Sequence, residues 1–172
     1  MIRLGGRSLT LTIALATLAA DQTSKVIVVR SLAPGLAVPV LPGLFDFTLV
    51  TNAGGIFGIL RDADGPLRGV LFAAIPVVAI VLMGWYAWRL RDAQAWPRAA
   101  LGLIVGGAAG NLADRLRLGY VIDFLDAYFG THHWPAFNLA DSAICAGVTL
   151  LLAEGIFTRE ADDRAPLPGP PS

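Results

Sequence analysis

Four apolar stretches, each about as long as a bilayer is thick, constrain this chain more than anything else in it. They run from Ser8 to Val29, Leu67 to Trp88, Ala99 to Leu118 and Asn138 to Phe157. A hydrocarbon core of about 30 Å needs roughly twenty helical residues at about 1.5 Å each. Backbone polar groups in lipid must bond within their own segment, so stretches of this kind become helices. The expected fold is an all-α membrane protein of four transmembrane helices, with a small extracytoplasmic β segment and an interfacial loop or helix. Residues 1–158 form one membrane domain in this reading, and 159–172, polar and then proline-rich, a disordered cytoplasmic tail. Hydrophobic residues make up 55% of the chain and charged ones 15%, a balance that soluble domains rarely show.

The first stretch admits a second reading. Arg3 and Arg7 precede SLTLTIALATLAA, the pattern of a cleavable secretory signal with Leu18-Ala19-Ala20 as the cut. Apolar character resumes as VIVV after DQTSK, which favours an uncleaved span. The second stretch ends in WYAWRLR, where Trp85, Tyr86 and Trp88 suit an interfacial belt, and Pro76 within it predicts a kink. Arg89, Arg91 and Arg98 flank the next connection; with Arg3 and Arg7 they place that loop and both termini on the cytoplasmic side, a bias diluted by Arg30, Arg61 and Arg68.

Against this background the ionisable residues stand out, because an acid at membrane depth is costly unless paired, hydrated or protonated. Asp21 and Lys25 are four apart on one helical face, either as a structural ion pair or in support of a site. FDFTLV alternates as a short strand outside the membrane. It leads into TNAGGIFG, where Asn52 offers an amide and Gly54, Gly55 and Gly58 allow close backbone approach, or simply close a turn. Gly102, Gly106 and Gly110 recur every four residues, a helix-packing pattern. Asn111, Asp114 and Arg115 then share one side of the same helix, with Asp114 read as a structural charge.

Residues 119–135 are too apolar for a solvated connection and are expected to lie in the interface. Asp123, set between Ile122 and Phe124, should have a raised pKa. His132 and His133 are adjacent and cannot face one ligand from regular structure. Asn138 is a good N-cap, and Asp141 stands where a capping-box acid would; a role beside Asp123 is preferred for it because the loop can fold back over that helix end. Cys145 reads as a small packing residue, and one cysteine excludes an internal disulfide or a multi-cysteine metal site. The formal net charge is +0 and no basic stripe is present, which argues against nucleic acid as a partner.

The motifs DQTSK, TNAGGIFG, GNLADR, VIDF and FNLADS occur in this order from Asp21 to Ser142. Together they resemble lipoprotein signal peptidase, the bacterial signal peptidase II, an intramembrane aspartyl protease. The resemblance implies that Asp123 and Asp141 are the catalytic pair. It implies that Asp21, Lys25, Asn52, Gly54, Asn111, Arg115 and Asn138 shape the site or hold substrate, with Asp114 structural. The implied substrate is a prolipoprotein with a diacylglyceryl cysteine, cut just before that cysteine at the outer leaflet of the inner membrane. No cofactor or metal is expected, membrane lipid is the surrounding partner, and the enzyme is expected to be a monomer. One departure is Ile56, where relatives are expected to carry a small residue. A small transporter or channel subunit would also hold charges in its spans, but staggered through the membrane; here they cluster at the outer ends. A purely structural subunit would follow if the paired acids were replaceable.

Overall fold

The computed structural model describes residues 6–54 and 66–163. Along the chain these form α1 (Gly6–Ser31), β1 (Val38–Leu41), β2 (Phe45–Asn52), α2 (Pro66–Arg89), α3 (Ala95–Leu118), β3 (Val121–Phe129), β4 (His132–His133) and α4 (Leu139–Asp163). Gly55, Ile56, Gly58 and most of the expected tail lie outside the described residues. α4 continues past the expected end at Phe157 to Asp163.

α3 sits at the centre, packed against α1 and α4, because glycines cut two grooves into it. A Cβ on Gly102 would meet Ile13 and the carbonyl of Thr10, and one on Gly106 would meet Thr17 and the carbonyl of Ala14. On the other side a Cβ on Gly107 would press on the carbonyl of Ala140, and Gly147 of α4 packs as closely on that of Ala100. Small residues thus bring three backbones together, the usual solution where helices cannot rely on apolar burial alone.

Burial is inverted relative to a water-soluble bundle. The exposed surface carries Leu11 and Leu15 on α1, Ile75 and Val81 on α2, and Leu152 and Ile156 on α4, each more than half exposed. The largest fully buried side chains include Arg98, Lys25, Asn138, Asp21, Asp114 and Asp123. α1 and the Leu139–Ile156 part of α4 have the length and hydropathy to cross a membrane, and Ala74–Arg89 is a shorter apolar helical stretch.

The connection after α3 differs from expectation. It is strand β3, in place of an interfacial loop or helix. The sheet is antiparallel in the order β1-β2-β3-β4, with Val50 opposite Asp123 and Asn52 opposite Val121. VIDF hid its strand because all four residues are buried, so no alternation of apolar and polar residues shows. Gly119, at φ +81°, ends α3 in the left-handed conformation and turns the chain into the strand.

Two further expectations change. Arg98, read as a loop charge, is 1% exposed and caps α2, donating to the carbonyls of Leu90 at 2.6 Å and Arg91 at 3.2 Å and to the Asp92 carboxylate. The last carbonyls of a helix lack internal partners, and a guanidinium supplies several donors at once. Cys145, read as a packing residue, is exposed on α4.

Candidate active site

The site lies where the sheet meets the ends of α1 and α3 and the start of α4. Its base is an ion cluster. Lys25 Nζ lies 2.9 Å from Asp21 Oδ2, 2.8 Å from Asp114 Oδ2 and 3.0 Å from Asn111 Oδ1, so all three ammonium hydrogens have acceptors. One cation between two buried carboxylates is tolerable because every carboxylate oxygen also has at least one hydrogen-bond or ion-pair donor. Asp21 Oδ1 accepts the backbone N–H of Ala140 at 3.0 Å, one of the donors that the start of α4 leaves unpaired. Asp114 accepts the Ile122 N–H at 3.3 Å and the Gln22 amide at 3.0 Å, tying α3 to β3. The cluster therefore fixes α1, α3, β3 and α4 against one another.

Above it, two asparagines carry the geometry to two carboxylates. With its Oδ1 committed to Lys25, Asn111 must present Nδ2 outward, and this donates to Asp141 Oδ1 at 2.8 Å. Asn138 Nδ2 donates to Asp123 Oδ1 at 2.7 Å and to Asn111 Oδ1 at 3.0 Å. The Asn138 side-chain Oδ1 accepts the N–H of Asp141 at 2.9 Å, and Asp141 Oδ2 accepts the N–H of Asn138 at 3.2 Å. This is a reciprocal capping box at the start of α4. Asp141 is thus a helix cap that also lies within electrostatic reach of Asp123.

Asp123 takes its second donor from the sheet. Asn52 Nδ2 lies 3.0 Å from Asp123 Oδ2, and the Asn52 side-chain Oδ1 is held by the N–H of Gly54 at 3.0 Å. Gly54 makes that turn at φ +80°, where a side chain would be strained. Burial raises the Asp123 carboxyl to about 6, the Asn52 bond opposes the rise, and the charge of Asp141 adds to it. Asp123 and Asp141 therefore sense each other's charge while amides hold each in place.

Arg115 is half-buried and lies within the electrostatic reach of Asp141, Asp123 and Asp114. Its Nη1 donates to the Asn111 carbonyl at a long 3.4 Å, which leaves other guanidinium donors for a bound molecule. Every residue singled out in the sequence as catalytic or site-shaping thus falls in one connected region. Gln22 was not singled out, yet its amide touches Asp21, Asp114 and the Gly110 carbonyl. Its place between Asp21 and Lys25 in DQTSK was the available signal. The histidines stand apart, with exposed His133 bonding Asp126 at 2.9 Å through Nδ1. Among the described residues no group of three or more His, Cys, Asp or Glu side chains is arranged to hold a metal.

The chain's residues 13–157 match the family model described as signal peptidase (SPase) II. A lipoprotein signal peptidase of Geobacter metallireducens is 48% identical over 140 residues, spanning 81% of this chain and 85% of that one. Another, from Geobacter sulfurreducens, is 47% identical over 154 residues, spanning 90% and 94%. The fold is similar to that of a solved bacterial membrane enzyme, with a TM-score of 0.76 and 94% of each chain covered at 24% identity.

Proposed function

The chain belongs to the signal peptidase II family, and from that premise we propose that it is an intramembrane aspartyl endopeptidase that cuts diacylglyceryl-modified prolipoproteins just before the lipidated cysteine. The observation that carries this reading is the Asp123–Asn138–Asp141 arrangement, in which the Asn138 side chain donates to one carboxylate and its backbone N–H to the other, over a buried ion cluster.

Hydrolysis of a peptide needs a base for the attacking water and an acid for the carbonyl oxygen. Asp123, whose carboxyl is raised to about 6, is the proton holder. Asp141, bonded by a backbone N–H and the Asn111 amide at the positive end of α4, is the carboxylate. In the first step Asp141 takes a proton from water as its oxygen bonds to the scissile carbon. Asp123 gives its proton to the carbonyl oxygen, forming a neutral diol. In the second step the diol returns a proton to Asp123, the carbon–nitrogen bond breaks, and Asp141 passes its proton to the leaving nitrogen. Both carboxyls end as they began. Donors from Arg115 and Asn52 flank the path and suit the substrate backbone.

Four helices cross the inner membrane in this reading, with both termini cytoplasmic and the carboxylates at the outer leaflet. The apolar outer surface and polar interior support immersion in lipid. α1 is retained, since Ala14 and Thr17, which meet Gly106, lie on the same helix as Asp21 and Lys25 of the ion cluster. The enzyme works without a cofactor and as a monomer, meeting a membrane-anchored substrate laterally, clamped between the Asn52 turn and β3.

The test is cleavage, in detergent, of a precursor peptide with and without the diacylglyceryl group. The lipidated peptide should be cut on the N-terminal side of its modified cysteine, the other slowly or not at all. Equal cleavage of both would refute the lipid-directed reading.

A further inference from the structure

A second recess lies behind the sheet. Alternation sorts β2 and β3 into two faces, with Val50 and Asn52 on the side of Asp123, and Thr51 opposite Ile122 on the other. On that other face a cavity of about 500 Å³ opens between the sheet and the ends of α1 and α3. Val26, Val29, Leu49 and Leu118 line its apolar walls. Three of these are solvent-open in the bare protein, Val26 at 43%, Val29 at 48% and Leu118 at 37%.

The same cavity is bordered by Arg30 and Arg117, both exposed. Among the described residues neither guanidinium has a carboxylate partner, and Arg117 donates only to the neutral Gln22 side-chain oxygen at 3.0 Å. Lys25 and Asp114, which also line the cavity, are engaged with each other at 2.8 Å and with Asp21 in the buried ion cluster. Among the described residues the recess therefore presents two arginines without a carboxylate partner beside an apolar wall. It sits at the C-terminal ends of α1 and α3, which lie near the headgroups when these two helices span a membrane. A free inorganic anion would leave the wall bare. A neutral lipid, including the uncharged diacylglyceryl group of the proposed substrate, would leave both arginines unpaired.

We propose that this recess binds one anionic glycerophospholipid, with its phosphate between Arg30 and Arg117 and the start of an acyl chain along Val26, Val29 and Leu118. The inference needs only that the chain lies in a membrane, and stands or falls independently of the protease chemistry on the opposite face.

The experiment is a titration of the full chain in neutral detergent with three probes, read by calorimetry. These are dihexanoyl phosphatidylglycerol, dihexanoyl phosphatidylcholine and inorganic phosphate. The anionic lipid should bind at least about tenfold more tightly than the zwitterionic one, the scale of one charge-assisted contact. Inorganic phosphate should bind far more weakly than either lipid. The double variant Arg30→Gln/Arg117→Gln should abolish the preference while leaving phosphatidylcholine binding unchanged. Leu49→Trp, which fills the cavity without altering charge, should weaken binding of the anionic lipid; attraction to a merely basic surface would survive it. Thermal melts of each variant confirm that it is folded. Equal affinity for the two lipids, phosphate binding as well as the anionic lipid, or a preference that persists in the double variant or in Leu49→Trp would overturn the proposal.

Discussion

Asn138 Nδ2 lies 2.7 Å from Asp123 Oδ1, while the other end of the same amide accepts the N–H of Asp141. One side chain thereby caps the helix that carries Asp141 and holds the Asp123 carboxyl. Asn138→Ser keeps an oxygen that can cap but loses the donor to Asp123, whereas Asn138→Ala loses both. Loss of a cap costs about 0.5–2 kcal/mol, so Ala should lower the thermal midpoint more than Ser does. Cleavage should fall at least about tenfold in both. Thermal melts and single-turnover rates of the two variants separate the contributions.

Protonation of Asp123 gives the reaction a basic limb. The proposed mechanism needs its proton, so kcat/KM should fall about tenfold per pH unit above about 6. The Asn52 bond favours the ionised carboxyl. Removing it in Asn52→Ala should move that limb to higher pH, whatever happens to the maximal rate. A pH–rate profile of the two proteins reads the shift, and an unmoved limb would remove Asp123 as the proton holder.

The same carboxyl links stability to pH. Its folded value, about 6, lies above the ordinary 3.8, so the folded protein binds this proton more tightly than the unfolded chain. Stability should decline as pH rises from about 4 through 6 and stay lower above that. Asp123→Asn, which carries no charge, should match wild type near pH 4. At pH 8 it should be more stable by on the order of 2–3 kcal/mol. Denaturation at the two pH values gives the comparison.

Lys25→Met would leave Asp21 and Asp114 facing each other without their cation. Breaking a buried ion cluster in this way costs about 3–5 kcal/mol, more than losing a surface pair. The expected result is a variant that loses its cooperative melt or unfolds far below wild type.

Glycine grooves give a paired test of the packing. Gly106→Ala would push a methyl group onto the Ala14 carbonyl, and overpacking of this kind costs about 1–3 kcal/mol. Gly84, on α2, has nothing within 4 Å of where its Cβ would stand. Gly84→Ala should be neutral or slightly stabilising, by up to about 1 kcal/mol of helix propensity. Melting curves of the two decide whether α3 is held by close backbone approach.

The helices were legible because apolar length and glycine spacing are local properties of the chain. So was the Asp21–Lys25 pair, since four residues on a helix is a fixed distance. β3 was not, because its first four residues are all buried and the stretch loses the period that marks a strand. Arg98 misled because its value as a cap depends on where α2 ends, a tertiary fact. Asp141 offered two readings that looked exclusive; the spatial return of β3 to the start of α4 brings the capping carboxylate within electrostatic reach of Asp123. Gln22 bonds to residues some ninety positions away, which no local pattern announces.

The most direct measurement is single-turnover cleavage of a diacylglyceryl-modified precursor by wild type, Asp123→Asn and Asp141→Asn, each verified as folded by its melt. Both substitutions preserve shape and remove one ionisable oxygen, so each should lower the rate by about 10²–10⁴-fold at every pH. Wild-type turnover by either variant would contradict a reaction carried by two carboxyls.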